Sequence, residues 1–206
     1  LLAGLCLALP LCILLGLASG AVPLRAADIL AGLHSTLAGA PADQAGLIVG
    51  QIRLPRVLLA ALMGAILGMS GAATQGLFRN PLADPSLIGV TAGASLGAAL
   101  VIVLGADLLQ GYTALTAVSI GAFAGGAAAV LFVYRLATSS SGTSVATMLL
   151  AGIAITALAG AVGSLLEFHA DNDMLRRISL WKMGRMGGAN SPRLLLAGLV
   201  RAPVLL

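Results

Sequence analysis

Charge-free apolar runs alternate with short polar connectors along the chain. Segments lacking Asp, Glu, Lys and Arg cover Leu1–Leu24, Val57–Phe78, Pro85–Ala106, Leu108–Tyr134 and Leu136–Leu166, and a further apolar stretch begins near Leu194 and runs to Leu206. A helix needs about 20 mostly apolar residues to cross a bilayer core, so each run is long enough. The pattern predicts about six spans, at 1–20, 55–78, 87–105, 113–135, 145–167 and 192–206. The fold class is an all-α polytopic membrane protein, a tightly packed helix bundle forming one transmembrane domain over 1–206. The chain starts at Leu1 and stops inside an apolar stretch, so the expectation is a C-terminally incomplete sequence. The first run, followed by the small residues of "GLASGA", also fits a signal peptide. The further spans and the lack of basic residues ahead of it favour a membrane helix.

Two connectors carry pattern of their own. In "ADILAGLHSTLAG", Ile29, Leu30, Leu33 and Leu37 fall on one helical face, predicting a short amphipathic helix at the surface. The segment 167–191, "EFHADNDMLRRISLWKMGRMGGANS", predicts a short helix over about 172–182 outside the membrane, then a glycine-rich turn.

Small residues recur at every fourth position in four spans: Gly64, Gly68, Ala72 and Gly76; Gly89, Gly93 and Gly97; Gly121, Gly125 and Ala129; Gly152, Thr156, Gly160 and Ser164. Such stripes let helix backbones approach where lipid supplies no hydrophobic drive. They predict close packing with many helix neighbours.

Composition narrows the function. The chain is 59% hydrophobic and 9% charged, against about 25% charged in soluble domains. The net charge of +4 comes with only 3% aromatics and no basic run, which excludes nucleic-acid binding by base stacking. Cys6 and Cys12 lie within the first span and read as apolar filler. His34 and His169 stand alone and read as surface histidines, not metal or haem ligands. There is no phosphate-binding G-x-x-x-x-G-K-[ST] loop, the one lysine is Lys182, and the spans hold no carboxylate pair. The chain is expected to be no enzyme and to bind no cofactor or metal itself.

Charge counting leaves the orientation open. With a cytoplasmic N-terminus, Arg79 and Arg135 lie inside, while Arg25, Arg53, Arg56, Arg176, Arg177, Lys182, Arg185 and Arg193 lie outside. The positive-inside rule favours the reverse.

Four stretches stand out from the apolar background. "QIRLPR" places Arg53 and Arg56 around Pro55 at the threshold of the second span, as snorkelling cations or as receivers for a partner's carboxylates. "RNPLADP" (79–85) forbids a continuing helix and imposes a turn. Asp84 is placed there to pair with Arg79. "SSSGTSVATMLLAG" (139–152) leads with hydroxyls into the fifth span. In "LRRISLWKMGRMGG", Arg176, Arg177, Lys182 and Arg185 either attract anions or pair locally with Glu167, Asp171 and Asp173.

R-L-P-R followed by R-N-P-L-A-D-P and "MLLAGIAITAL" resembles the FecCD-type permease subunits of type II ATP-driven (ABC) importers, which carry iron-siderophore complexes, haem and vitamin B12. The resemblance covers nearly the whole chain. It implies about six of roughly ten spans, a bacterial inner-membrane, multi-pass location and a cytoplasmic N-terminus. It implies a homodimer, two cytoplasmic ATPase subunits that use ATP and Mg, and a periplasmic or lipid-anchored substrate-binding protein. Arg53 and Arg56 would then receive carboxylates of that binding protein. Asn80, Leu82, Ser144 and Thr147 would belong to the cytoplasmic gate and pathway, and Arg176, Arg177, Lys182 and Arg185 to the external entrance. Val145 and Ala146 depart from the hydroxyls the family pattern carries there, and Thr147 stands where Arg is common. The implied cargo is an iron chelate, a ferric siderophore or haem, with vitamin B12 as the alternative. An ATP-independent secondary transporter is the reading from another class.

Overall fold

The computed structural model describes residues 2–41, 43–105, 111–140 and 142–184. The chain folds as α1 (Leu2–Ala18), α2 (Ala26–Ala38), α3 (Gln44–Leu47), a π turn (Ile48–Arg53), α4 (Leu54–Phe78), a 3-10 turn (Pro85–Ile88), α5 (Val90–Leu104), α6 (Gly111–Ala137), a two-residue hairpin of β1 (Thr138–Ser139) and β2 (Gly142–Thr143), α7 (Val145–His169) and α8 (Asn172–Lys182). It is an all-α polytopic membrane protein. The predicted 192–206 span lies outside the described residues. The described helices form two compact units, one within Leu1–Met69 and the other Ser70–Arg185.

In the first unit, Leu17, Ile29 and Val49 form a small core, with Ile13, Leu24, Leu33, Leu54 and Val57 against it. The amphipathic helix forms as α2, capped at Gly39 in the left-handed region. Its buried face is turned from the predicted one: Ile29 and Gly32 are buried, while Leu30 and Leu37 are 67% and 83% exposed. Gly32 takes the inner position because α3 passes so close that a Cβ there would sit 3.0 Å from Gly46 Cα. Helix runs unbroken from Gln44 to Phe78 although Pro55 lies within it. Proline removes an N–H and crowds the carbonyl four residues back. Here the preceding turn widens to π geometry, with Leu54 N–H donating to Val49 O, and the kink is absorbed.

In the second unit, α5, α6 and α7 pack together, with α8 across one end of α5. The α5 and α6 stripes meet each other: a Cβ at Gly93 would lie 2.5 Å from Gly125 O, and one at Gly97 would overlap Gly121 O. Small residues are buried in this unit, Ala98, Ala99 and Ala122 among them, while Leu115, Ile120, Phe123, Leu150 and Leu158 are exposed. That inversion suits lipid, where close backbone approach replaces the hydrophobic drive. Among the described residues three helices, Gln44–Phe78, Thr113–Ala137 and Val145–His169, are by themselves long and apolar enough to cross a membrane, and the 1–20 and 87–105 segments form the shorter apolar helices α1 and α5. α5 is short because Pro85 opens a separate 3-10 turn and Gly89 (φ 76°) breaks the path before Val90. The α4 stripe is unlike those of α5 and α6: Gly64, Gly68 and Gly76 face open space among the described residues.

Candidate functional site

The two arginines of "QIRLPR" occupy opposite environments in the first unit. α1 ends at Ala18, and the last carbonyls of any helix lack intrahelical donors. Arg53 supplies them: Nη1 donates to Leu17 O at 2.6 Å and Ala18 O at 3.1 Å, and Nη2 donates to Val22 O. The guanidinium thus sits at the negative end of the α1 dipole, only 7% exposed. Gly20 lies over it, where a Cβ would come 2.7 Å from Nη2. Arg56, one turn on, is exposed and makes no ion pair among the described residues. Three of the five N–H donors of Arg53 serve main-chain oxygens and its side chain is buried, so it does not present at the surface the fork that the docking role expected from sequence uses. Arg56 alone keeps the surface position that role needs.

One end of the second unit gathers the 79–89 loop and the hairpin. Phe78 and Ile88 pack on a cluster of Val133, Ala137 and Met148, which joins the ends of α4 and α6 to the start of α7. α4 closes with Arg79 N–H on Gly76 O and Asn80 N–H on Gln75 O, a Schellman ending. Arg79 takes the left-handed position there at φ 49°, the one non-glycine to do so among the described residues. Asn80 Oδ1 accepts from Leu82 N–H at 2.9 Å, an Asx turn that spends the side chain inside the loop. Leu82 stands bare at the tip, 87% exposed. Asp84 caps the 3-10 turn through Ser86 N–H at 2.7 Å and forms no ion pair with Arg79, correcting the pairing read from sequence. The Ser86 hydroxyl and then its N–H hold the Asp84 carboxyl below its ordinary pKa. Ser144 caps α7, accepting from Thr147 N–H at 3.3 Å, and the two hydroxyls lie 3.0 Å apart.

The opposite end carries α8. Ile178 is buried with Ala99 and Ile102, against Leu166 and Met174, and Asp171 caps the helix through Met174 N–H at 2.8 Å. The cations expected at an entrance are partly neutralised: Arg177 pairs with Asp173 at 2.8 Å and Lys182 with Glu167 at 2.5 Å. Arg176 has no ion pair among the described residues, and Arg185 lies outside them. From Glu167 and Lys182 a cavity of about 280 Å³ runs between α5 and α7 past Ser164, Thr156 and Ser95. It adjoins a second, of about 640 Å³, that shares Ala92, Ser95 and Thr156 and reaches Thr91 and Ser86. The two make one groove lined by small and hydroxyl side chains, bounded at one end by an ion pair.

Sequence reading missed the carbonyl cage around Arg53, the π turn and the Glu167–Lys182 bridge. A proline four residues after Gln51 signalled that the helix must adjust near Arg53, and the "LASGA" run signalled a close backbone approach. No local signal pairs Glu167 with Lys182, since α8 must first fold back. His169 Nδ1 donates to Leu165 O at 2.9 Å, and its ring meets Phe168 edge-on. No group of three His, Cys, Asp or Glu residues suited to a metal occurs among the described residues.

Residues 8–206 match the FecCD transport family. The chain is 45% identical over 152 residues to the hemin transport system permease protein HmuU of Yersinia pestis, covering 74% of this chain and 45% of that protein. It is 44% identical over 147 residues to the cobalamin import system permease protein BtuC of Halobacterium salinarum, covering 71% and 38% respectively. The chain thus spans less than half the length of these relatives. A solved ABC transporter of metal-chelate type, in an inward-facing conformation, superposes with a TM-score of 0.74 at 29% identity, over 99% of this chain and 60% of that one. With the match running almost from end to end and the solved fold agreeing with it, the chain belongs to the FecCD transport family.

Proposed function

We propose that the chain is the membrane-spanning permease subunit of a binding-protein-dependent ABC importer in the bacterial inner membrane, and that its cargo is an iron chelate, a ferric siderophore or haem. The observation that carries this reading is the family match over residues 8–206 on a fold that superposes with a metal-chelate-type ABC transporter. The N-terminus is cytoplasmic in this reading. Arg56 and α8 then face outward, and the 79–84 loop and the hairpin face the cytoplasm. A second permease copy completes the pathway, and two ATPase subunits hydrolyse ATP with Mg. This subunit binds no cofactor.

The groove between α5 and α7 is the proposed path. Hydroxyls at Ser86, Thr91, Ser95 and Thr156 offer polar cargo weak, replaceable contacts, which passage requires more than tight binding does. A substrate-binding protein sets a carboxylate on Arg56 and releases its cargo at the α8 end. Nucleotide in the ATPases then favours one of two helix arrangements by contacting them differently. At the cytoplasmic end, Leu82, Asn80, Ser144 and Thr147 close the path behind the cargo.

Vitamin B12 is the second reading, and two observations favour it. The similarity to a cobalamin permease, 44%, nearly equals that to a hemin permease. The α8 cations that would draw an anionic chelate are partly spent on Asp173 and Glu167. The test reconstitutes the full-length permease with its ATPase and binding protein in proteoliposomes and compares uptake of haem, a ferric siderophore and cobalamin. ATP- and binding-protein-dependent uptake of haem or the siderophore is the expected result. Uptake of cobalamin alone transfers the assignment to vitamin B12. Uptake indifferent to ATP overturns the importer reading in favour of a secondary transporter.

A further inference from the structure

The geometry points to a division of labour within "QIRLPR": Arg53 is a positioning residue that ties the α1–α2 turn to the start of α4, and Arg56 alone meets an acidic partner. The inference rests on the docking reading proposed above and separates two residues that it treats alike.

Three observations carry it. The Arg53 guanidinium is 7% exposed and bonded to the carbonyls of Leu17, Ala18 and Val22. Those oxygens come from both sides of the turn that follows α1, so one side chain holds the helix end and the segment leading to α2. Gly20 lies against the same guanidinium, with Cβ distances of 2.7 Å to Nη2 and 2.9 Å to Cζ. The turn therefore fits Arg53 closely and leaves no room for a second ligand from that side. Arg56 is exposed with no ion pair among the described residues.

A carboxylate that drew the buried Arg53 guanidinium to the surface would strip it from its three acceptors. The Leu17 and Ala18 carbonyls at the end of α1 would then lose their donors, and helix-end carbonyls left without partners are costly. Arg56 pays no such penalty. Residues three apart on a helix lie about 60° apart in azimuth and about 4.5 Å apart along the axis, so one arginine can point at α1 while the other points at solvent. The order of residues 19–24 is then what Arg53 contributes to docking.

The experiment uses the full permease with its ATPase in nanodiscs and the purified cognate binding protein. Amide hydrogen exchange over residues 19–24 reports the clamp, and affinity for the binding protein reports docking. Arg53→Lys, Arg53→Gln and, independently, Gly20→Ala are expected to speed exchange over 19–24. Any loss of affinity in these variants should not be recovered when acidic residues on the binding protein are changed to Lys. Arg56→Glu should leave the exchange unchanged, weaken association about tenfold or more, and be partly restored by the Lys changes on the binding protein. Arg53→Gln with exchange as in the wild type, or a loss in Arg53→Glu that the charge swap restores, would overturn the inference. If Arg56→Glu binds normally while the Arg53 variants still open residues 19–24, the clamp stands and the docking reading falls.

Discussion

The seam between α5 and α6 makes a sharp prediction at Gly97. A methyl group there would overlap Gly121 O and lie 2.9 Å from the Gly121 carbonyl carbon and 3.2 Å from Gly125 Cα. All three are backbone atoms, so no side chain can swing aside and α5 must separate from α6. Separation loosens the contacts of Ala98, Ala99, Ile102 and Ala122, all buried. Overpacking of this kind costs about 1–3 kcal/mol, and a rigid backbone on both sides places Gly97→Ala in the upper half of that range. About 2 kcal/mol corresponds to roughly a 30-fold drop in the folded-to-unfolded ratio.

Gly68→Ala is the matched control. Nothing lies within 4 Å of its Cβ position, so the same substitution there keeps only the gain in helix propensity, about 0.5–1 kcal/mol. The two variants should move in opposite directions when SDS is titrated into mixed micelles and helix content is followed by circular dichroism. Gly97→Ala should unfold at a lower SDS fraction than wild type and Gly68→Ala at an equal or higher one. Unfolding of Gly97→Ala at the wild-type fraction would refute the packing argument. Equal losses at both positions would refute the contrast between the stripes.

Three further expectations use the ends of the second unit. Ile178→Ala should cost about 2–4 kcal/mol as a buried truncation and raise exchange along α8, whereas Lys182→Ala breaks a solvent-screened pair and should cost less than about 1 kcal/mol; equal thermal shifts would refute the ranking. Arg79→Gly exchanges a side chain in the left-handed region for the residue that favours it, at the loss of a charge near a helix C-terminus, so the thermal midpoint should stay level or rise; a clear fall would show that the Arg79 side chain is held by contacts. Asp84 has a folded pKa below its unfolded value, so its contribution is complete above the unfolded pKa of about 3.9 and is lost as pH falls through the folded one; exchange over 85–89 should speed up below about pH 4 in the wild type, and the same acid step in Asp84→Asn would exclude Asp84 as its source.

The helices were legible because charge is so scarce: an uncharged run longer than a bilayer is thick has few other ways to satisfy its backbone. The α5–α6 seam was legible for a related reason, since two stripes of small residues at every fourth position, separated by one connector, can face each other. The same stripe on α4 found no partner among the described residues. Small residues grant close approach without saying what approaches. Around the candidate sites, residue type was legible and partner was not. Asn80, Ser144 and Thr147 were read as pathway groups, yet each has a hydrogen bond inside its own turn, because short polar side chains readily bond to backbone nearby. The pairing of Glu167 with Lys182 depends on α8 folding back, and no local pattern encodes that.

Arg53 and Arg56 are the hardest case, because the sequence presents them as equals. What separates them is the π turn at Ile48–Arg53. A π turn takes in one residue more than an α turn, and each residue of helix turns about 100°. Val49, inside that turn, is fully buried with Leu17 and Ile29 and fixes the azimuth at which the widened turn begins. Had Pro55 been absorbed by a plain kink, everything from Leu54 onward would face roughly 100° away from its present direction relative to Val49. The extra residue therefore sets which arginine meets the end of α1 and which meets solvent. A proline in sequence announces that the helix must adjust; only the folded turn shows how, and the aim of both cations follows from that.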